Sequence, residues 1–264
     1  LGRQWKMKCC TRNLLPCSIS RILWGDRKRW GLVIQEDDPC WKEWTQTYLD
    51  FYEANQRNWV GIFVNNAGYK VMSNVDLSNK TVLEIGAGDI RHINFWQGGK
   101  PSEYIIADVQ KAMLDKAVLI LSDASVPTRC LHVEREMKTV PLKDNSVDII
   151  ISFYSLEHIF PLGLYLEDLH RLLRPGGMLI GAIPAEGGLA WGLGRSLTSR
   201  RWLKTNTSID PDKIICWEHP NFGDDILKLL DKFFIRKHIS YWPLPFVPLL
   251  DVNLVIRFIY EKEI

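Results

Sequence analysis

The sequence is short of the features that would mark several classes at once. Its 264 residues hold no run of about 18 apolar residues, the length a membrane-spanning helix requires. The longest apolar stretches, such as 147–151, are only strand-sized. Six cysteines (Cys9, Cys10, Cys17, Cys40, Cys130 and Cys216) form no Cys-x-x-Cys pair, so no metal site is expected. A chain of this length can bury a core without disulfide staples, and reduced thiols in a cytoplasmic protein are the simplest reading. Charge of one sign is also scarce: Lys and Arg exceed Asp and Glu by a net +2, and no basic stripe runs along the chain. A nucleic-acid partner is therefore not expected. Two glycosylation-type triplets, at Asn79 and Asn206, come without a secretion signal and carry no weight. What is present is an ordinary globular balance, 46% hydrophobic and 24% charged, enough for one enlarged domain or a domain with an appendage.

The first thirty residues break that balance. Arg3, Lys6, Lys8, Arg12, Arg21, Arg27, Lys28 and Arg29 face a single acid, Asp26, with Trp5, Trp24 and Trp30 interleaved. A loosely held basic arm is the plain reading. A peripheral membrane contact, an anionic-ligand segment and a transit-like segment are the others. The sequence begins at Leu1 and not at Met, consistent with a natural start upstream.

Further along, 40–60 reads as a helix, with Trp41, Trp44, Tyr48, Phe51 and Tyr52 recurring every three or four residues as a core-facing seam. The polar stretch 73–80 suggests a boundary, giving a basic arm and helical extension over 1–75 and a main domain over 76–264. In the main domain short apolar strands at 81–85, 104–107, 129–133, 147–152 and 178–183 alternate with helical segments near 90, at 110–121 and at 164–173. Such alternation implies crossover units and a parallel sheet covered on both faces. Residues 185–220 form a Trp-bearing, basic insertion or lid that is expected to be flexible. A helix at 222–232, capped by Asn221, and strands at 234–241 and 254–260 close the chain. Those last two strands, having no crossover helix between them, should pair antiparallel at the sheet edge. The predicted fold is α/β, a doubly wound, mostly parallel seven-stranded sheet with an antiparallel final strand and an N-terminal helical extension.

Two elements suggest a nucleoside site. Gly86 and Gly88 follow the first strand, where the backbone must turn tightly and lie against a ligand. Asp108 ends the second strand, where a carboxylate can accept hydrogen bonds from ribose hydroxyls or cap the next helix.

With these in place the sequence resembles the class I S-adenosylmethionine-dependent methyltransferases, in particular the type 11, ubiquinone-biosynthesis-like branch. Glu84-Ile85-Gly86-Ala87-Gly88 resembles the acidic-x-Gly-x-Gly motif, and Val140-Pro141-Leu142-Lys143-Asp144-Asn145-Ser146-Val147-Asp148 the Leu-Pro-Phe-x-Asp-Asn-Ser-Phe-Asp segment. Ser152-Phe153-Tyr154-Ser155-Leu156-Glu157-His158 and Leu172-Leu173-Arg174-Pro175-Gly176-Gly177 resemble the stretches that close the core. The resemblance implies S-adenosyl-L-methionine as cofactor. Glu84 would organise the first loop and the methionine amino group, Gly86, Ala87 and Gly88 would line the methionine portion, and Asp108 would hold the ribose. Val109 would lie beside the adenine, Glu136 would bond its amino group, Met137 would supply a backbone contact, and Ser152 would lie close to the methionine. Ile90 stands where the family often has a third glycine.

The resemblance also implies an enzyme acting on a small-molecule acceptor (a sugar, a lipid-linked or an anionic metabolite), chosen by 41–69 and 185–217. Arg195, Arg200, Arg201 and Lys204 in the latter make phosphate or carboxylate recognition one reading and a solvated lid the other. His158 is the candidate general base or acceptor-orienting group, with Tyr154 four residues before it, and His92 and His219 follow at a distance. The competing readings are a non-catalytic interaction module on the same fold, for which Ile90 speaks, and a nicotinamide dehydrogenase, against which Arg91 speaks. Acceptor atom and oligomeric state are not legible.

Overall fold

A computed structural model describes residues 11–135 and 139–264. Among these residues one seven-stranded sheet forms the centre: β1 (Thr81–Ile85), β2 (Glu103–Asp108), β3 (Thr128–His132), β4 (Val147–Phe153), β5 (Leu173–Pro184), β6 (Ile235–Trp242) and β7 (Val255–Glu261). The spatial order is β3-β2-β1-β4-β5-β7-β6. The first five strands run parallel, and β7 is antiparallel to both β5 and β6. The doubly wound sheet expected from the alternation is present, with the antiparallel pair at its edge.

The helices are α1 (Cys17–Trp24), α2 (Arg27–Trp30), α3 (Pro39–Gln56), α4 (Trp59–Tyr69), α5 (Lys111–Asp123), α6 (Leu162–Leu172), α7 (Leu189–Leu197), α8 (Ser199–Asn206), α9 (Pro211–Glu218) and α10 (Gly223–Phe233). Strand alternation divides the core between two faces. Leu83 and Ile85 of β1 join Leu166 and Leu169 of α6 and Leu227 and Leu230 of α10 on one face. Val82 joins Leu114, Ala117 and Leu121 of α5, with Tyr69, Val71 and Met72, on the other. The same alternation turns Glu84 toward that second face.

A third apolar cluster lies off the sheet, where Trp41 and Trp44 of α3 pack with Leu203, Ile209, Ile214 and Trp217. The helix expected over 40–60 divides after Arg57, because Asn58 caps a new helix by accepting from Gly61 N at 2.8 Å. Residues 185–220, expected as a flexible lid, are three helices, and Asp210 with Pro211 starts the last of them. The sequence pattern hid them because each spans only two turns. Asn221 does not cap α10. Phe222 holds that position, and the Asn221 amide instead donates to the carbonyls of Leu156, Glu157 and Ile159, tying down the loop after β4.

The described part of the basic N-terminus is docked, not loose. Trp24 is 1% exposed and donates to Gly188 O. Arg12 pairs with Asp224, and Arg27 donates to the carbonyls of His219 and Pro220. Both guanidinium groups lie over the Phe222 ring, at 3.8 and 3.5 Å from its centroid. No helix among the described residues is long and apolar enough to cross a membrane.

Candidate active site

The carboxyl ends of β1, β2 and β4 lie side by side, at the point where the strand order turns from β1 outward in both directions. A cavity of about 990 Å³ opens there. Its floor is the turn after β1, and its far wall is built by α7, α8 and α9, with α3 and α4 along the side.

The turn is left-handed three times: Gly86 has φ +66°, Gly88 +55° and Ile90 +48°. A Cβ on Gly86 would stand 2.6 Å from Ser155 Cβ, so this glycine is required for contact with the β4 loop. A Cβ on Gly88 would meet nothing nearer than Tyr52 Oη at 3.8 Å, leaving the space before it open as a cradle. Ile90 takes the backbone conformation that glycine adopts without cost, at a penalty of roughly 1–2 kcal/mol. Its side chain is 1% exposed in the core, which offsets that strain. The departure from the family pattern therefore leaves the turn's shape intact.

Glu84 is 1% exposed and closed in by its own partners. Tyr104 Oη donates to Oε2 at 2.6 Å, and His92 Nε2 is 2.8 Å from Oε1. Trp96 Nε1 donates to His92 Nδ1 at 2.9 Å, so the His92 proton is on Nε2 and goes to Glu84. This chain pins the 3₁₀ segment Arg91–Phe95 beneath the turn, which gives His92 a positioning role far from proton transfer.

Asp108 accepts from Gln110 N at 2.8 Å and Gly88 N at 3.4 Å, so it joins the glycine turn to the start of α5. Gln110, not Asp108, holds the N-cap position of α5, and each Asp108 carboxylate oxygen keeps a further lone pair. Burial raises its pKa above the ordinary value, although the backbone amides oppose the rise. Val109, 36% exposed, presents its side chain in the cavity wall, and Ala87 lines the floor. Ser152 is fully buried one layer below. Its hydroxyl meets Ser155 Oγ at 2.5 Å, and it is Ser155 that lines the cavity while donating to Ile85 O. Glu136 and Met137 lie outside the described residues.

On the far side His158 lines the cavity with its side chain 34% exposed. Its Nδ1 donates to Glu218 O at 2.5 Å and lies 3.2 Å from Glu218 Oε2, so Nε2 is the nitrogen left with a lone pair. Burial works to lower the His158 pKa, but the Glu218 and Glu157 carboxylates outweigh it and raise the value above 6.5. Burial works to raise Glu218, yet His158 and Arg135 bring it down to about 2. Tyr154 is placed differently from the expectation. Its Oη donates to the carbonyls of Val64 and Asn65 in α4, and burial pushes its pKa far up, so the phenol is a strut and its ring a wall. The His219 ring is tilted by 58° against His158 at 4.6 Å, and burial and Arg195 push its pKa down to about 4, so it stays neutral.

Sequence reasoning passed over Glu157. It is 1% exposed, lines the cavity, and has Oε2 buried without a hydrogen-bond partner. Burial lifts its pKa to about 7. Its position before His158 was visible, but no sequence signal distinguishes an inward-facing carboxylate there. Among the described residues no group of His, Cys, Asp and Glu is arranged to hold a metal ion. The aromatic seam of α3 also divides: Trp41 packs away from the cavity, whereas Trp44, Tyr48, Phe51 and Tyr52 line it.

Comparison with known proteins follows this geometry. A family model described as a methyltransferase domain, type 11, matches residues 83–181. The ubiquinone/menaquinone biosynthesis C-methyltransferase of Shewanella oneidensis is 27% identical over 95 residues, 36% of this chain and 38% of the relative. The chain thus spans about two fifths of the curated relatives it matches. The solved structure of a protein from Pyrococcus horikoshii is similar over 83% of this chain and 99% of its own, at 14% identity and a TM-score of 0.55. That of an S-adenosylmethionine-dependent methyltransferase from Mesorhizobium loti is similar over 73% and 95%, at 15% identity and a TM-score of 0.51. These structural likenesses extend the shared fold well beyond the matched segment. Residues 83–181, which span most of β1 to β5 of the seven-stranded sheet, are thus similar to the methyltransferase-domain family.

Proposed function

We propose that the protein is an S-adenosylmethionine-dependent methyltransferase acting on a small-molecule acceptor. The observation that carries this reading is one cavity bounded at one end by the Gly86–Gly88 cradle with Asp108, and at the other by His158 and Glu157. The cradle and the buried carboxylate suit a nucleoside with an amino-acid tail, because they offer close backbone approach and two ribose acceptors. S-adenosylmethionine supplies a methyl group already activated by its sulfonium.

What this chain contributes is alignment, exclusion of water and management of one proton. Gly88 lets the ligand lie against the backbone, and Asp108 fixes the ribose end. The aromatic wall of Tyr48, Phe51, Tyr52 and Tyr154 limits water. His158, oriented through Nδ1 by Glu218, has Nε2 available to accept a proton from an acceptor hydroxyl. The quinone chemistry named for the Shewanella relative is not carried over. The match there spans only 95 residues, and α3, α4 and α7–α9, which shape the acceptor end, lie outside the family-matched 83–181 segment.

Calorimetric titration with S-adenosylhomocysteine tests the reading. Saturable binding to the native chain is expected, with a loss of roughly 10–100-fold on Asp108→Ala, the scale of hydrogen bonds to a charged group. Absence of binding to the native chain would favour the interaction-module alternative.

A further inference from the structure

The five cations of the 185–220 insertion separate once folded, and Lys213 pairs with Asp38 of the N-terminal extension. Arg195 spends both terminal nitrogens on Glu186. Arg201 and Lys204 are exposed on α8, away from the cavity lining. Arg200 is 8% exposed and belongs to the cavity wall, beside Thr198, Ser199 and Leu203. Its Nη1 lies 2.5 Å from Asp212 Oδ1, while Nε and Nη2 are buried without a hydrogen-bond partner among the described residues.

Those two atoms are a matched pair. In a guanidinium group the Nε–H and the nearer N–H of Nη2 point the same way and form the two-pronged edge that grips a carboxylate or phosphate. Among the described residues Arg27, Arg57 and Arg257 each have only Nε buried without a hydrogen bond, and Arg57 Nε is ion-paired with Glu53; Arg200 leaves the whole edge. Asp212 stands on the opposite side of the group as an ion-pair partner, its Oδ1 likewise without a hydrogen bond. Buried donors are costly to leave unmet, and an oxyanion lodged in the cavity would satisfy both at once.

We propose that Arg200 is the specificity residue of the acceptor site and that the acceptor carries an oxyanion, a carboxylate or a phosphate. This deepens the methyl-transfer reading and rests on it. Arg200 grips the anionic end through Nε and Nη2, while the end to be methylated points across the cavity toward His158. Arg135, which also lines the cavity, is already engaged near Glu218 at 3.6 Å and over Trp41.

The test titrates inorganic phosphate and, separately, benzoate into the full chain saturated with S-adenosylhomocysteine. At least one anion should saturate the native protein at millimolar concentration, and which one does so separates phosphate from carboxylate acceptors. Arg200→Gln should weaken that binding by roughly tenfold or more with nucleoside affinity unchanged. Arg200→Lys keeps the charge and loses the fork, so it should still weaken binding several-fold, and it carries the test if the Gln variant fails to fold. No saturation by either anion at tens of millimolar, or equal binding by native and variant proteins, would overturn the proposal. If the native chain fails to bind S-adenosylhomocysteine, the cofactor reading falls, and the same titrations on the unloaded chain still decide Arg200.

Discussion

Asp108 and His158 are held by different forces, and their protonation should differ accordingly. Burial raises the Asp108 pKa, so this carboxylate is lost earlier on acidification than an ordinary Asp would be. If Asp108 holds the ribose as proposed, nucleoside affinity should begin to fall at a higher pH than an ordinary Asp would give, a trend that calorimetry across pH will show. For His158 the neighbouring carboxylates outweigh burial, so its imidazole should titrate above 6.5 by NMR. Glu218→Gln should move that midpoint down, because the strongest opposing carboxylate is removed. If His158 serves as the base, methyl transfer to a hydroxyl rises with pH through the same midpoint, and His158→Gln lowers kcat by about 10²–10⁴-fold.

Among the elements, the α7–α9 wall depends on the Glu186–Arg195 pair, with Glu186 fully buried and Arg195 7% exposed. Breaking a buried pair from one side costs about 3–5 kcal/mol, so Glu186→Gln should lower the melting temperature sharply. Burial works to raise the Glu186 pKa, but Arg195 and His219 hold it well below 4.5. A depressed carboxyl contributes stability that is present above its unfolded pKa and lost as pH falls. Thermal melts should therefore show native stability declining below about pH 4.5, with that decline reduced in Glu186→Gln. In the turn after β1, Gly86→Ala should damage both stability and binding, since its Cβ would meet Ser155 at 2.6 Å. Gly88→Ala has room and pays only the left-handed backbone penalty of about 1–2 kcal/mol. The strands and the glycine turn were legible because apolar runs, alternation and Gly-x-Gly are local signals. The α7–α9 helices were not, since their order comes from distant partners: Trp24 on Gly188, Trp44 on Glu218 and Arg27 on the carbonyls of His219 and Pro220. The same reason explains why Tyr154 looked like a reactive group. Its hydroxyl is spent on α4, a partner some ninety residues away.

At the scale of the molecule, the N-terminal helices and the 185–220 segment wall in the cavity at the carboxyl ends of β1, β2 and β4. Trp41 and Trp44 from α3 and Trp217 from α9 seal them together, away from the sheet. Gly86, Gly88, Asp108, Glu157 and His158 lie in the matched 83–181 segment, whereas the α3, α4 and α7–α9 walls of the cavity lie outside it. The most direct measurement of this arrangement is a crystal structure of the chain with S-adenosylhomocysteine. The account predicts the ribose hydroxyls on Asp108, the amino-acid tail over Gly86–Gly88, and the sulfur facing the space between His158 and Arg200. A nucleoside bound away from Asp108, or a sulfur turned from that space, would contradict it.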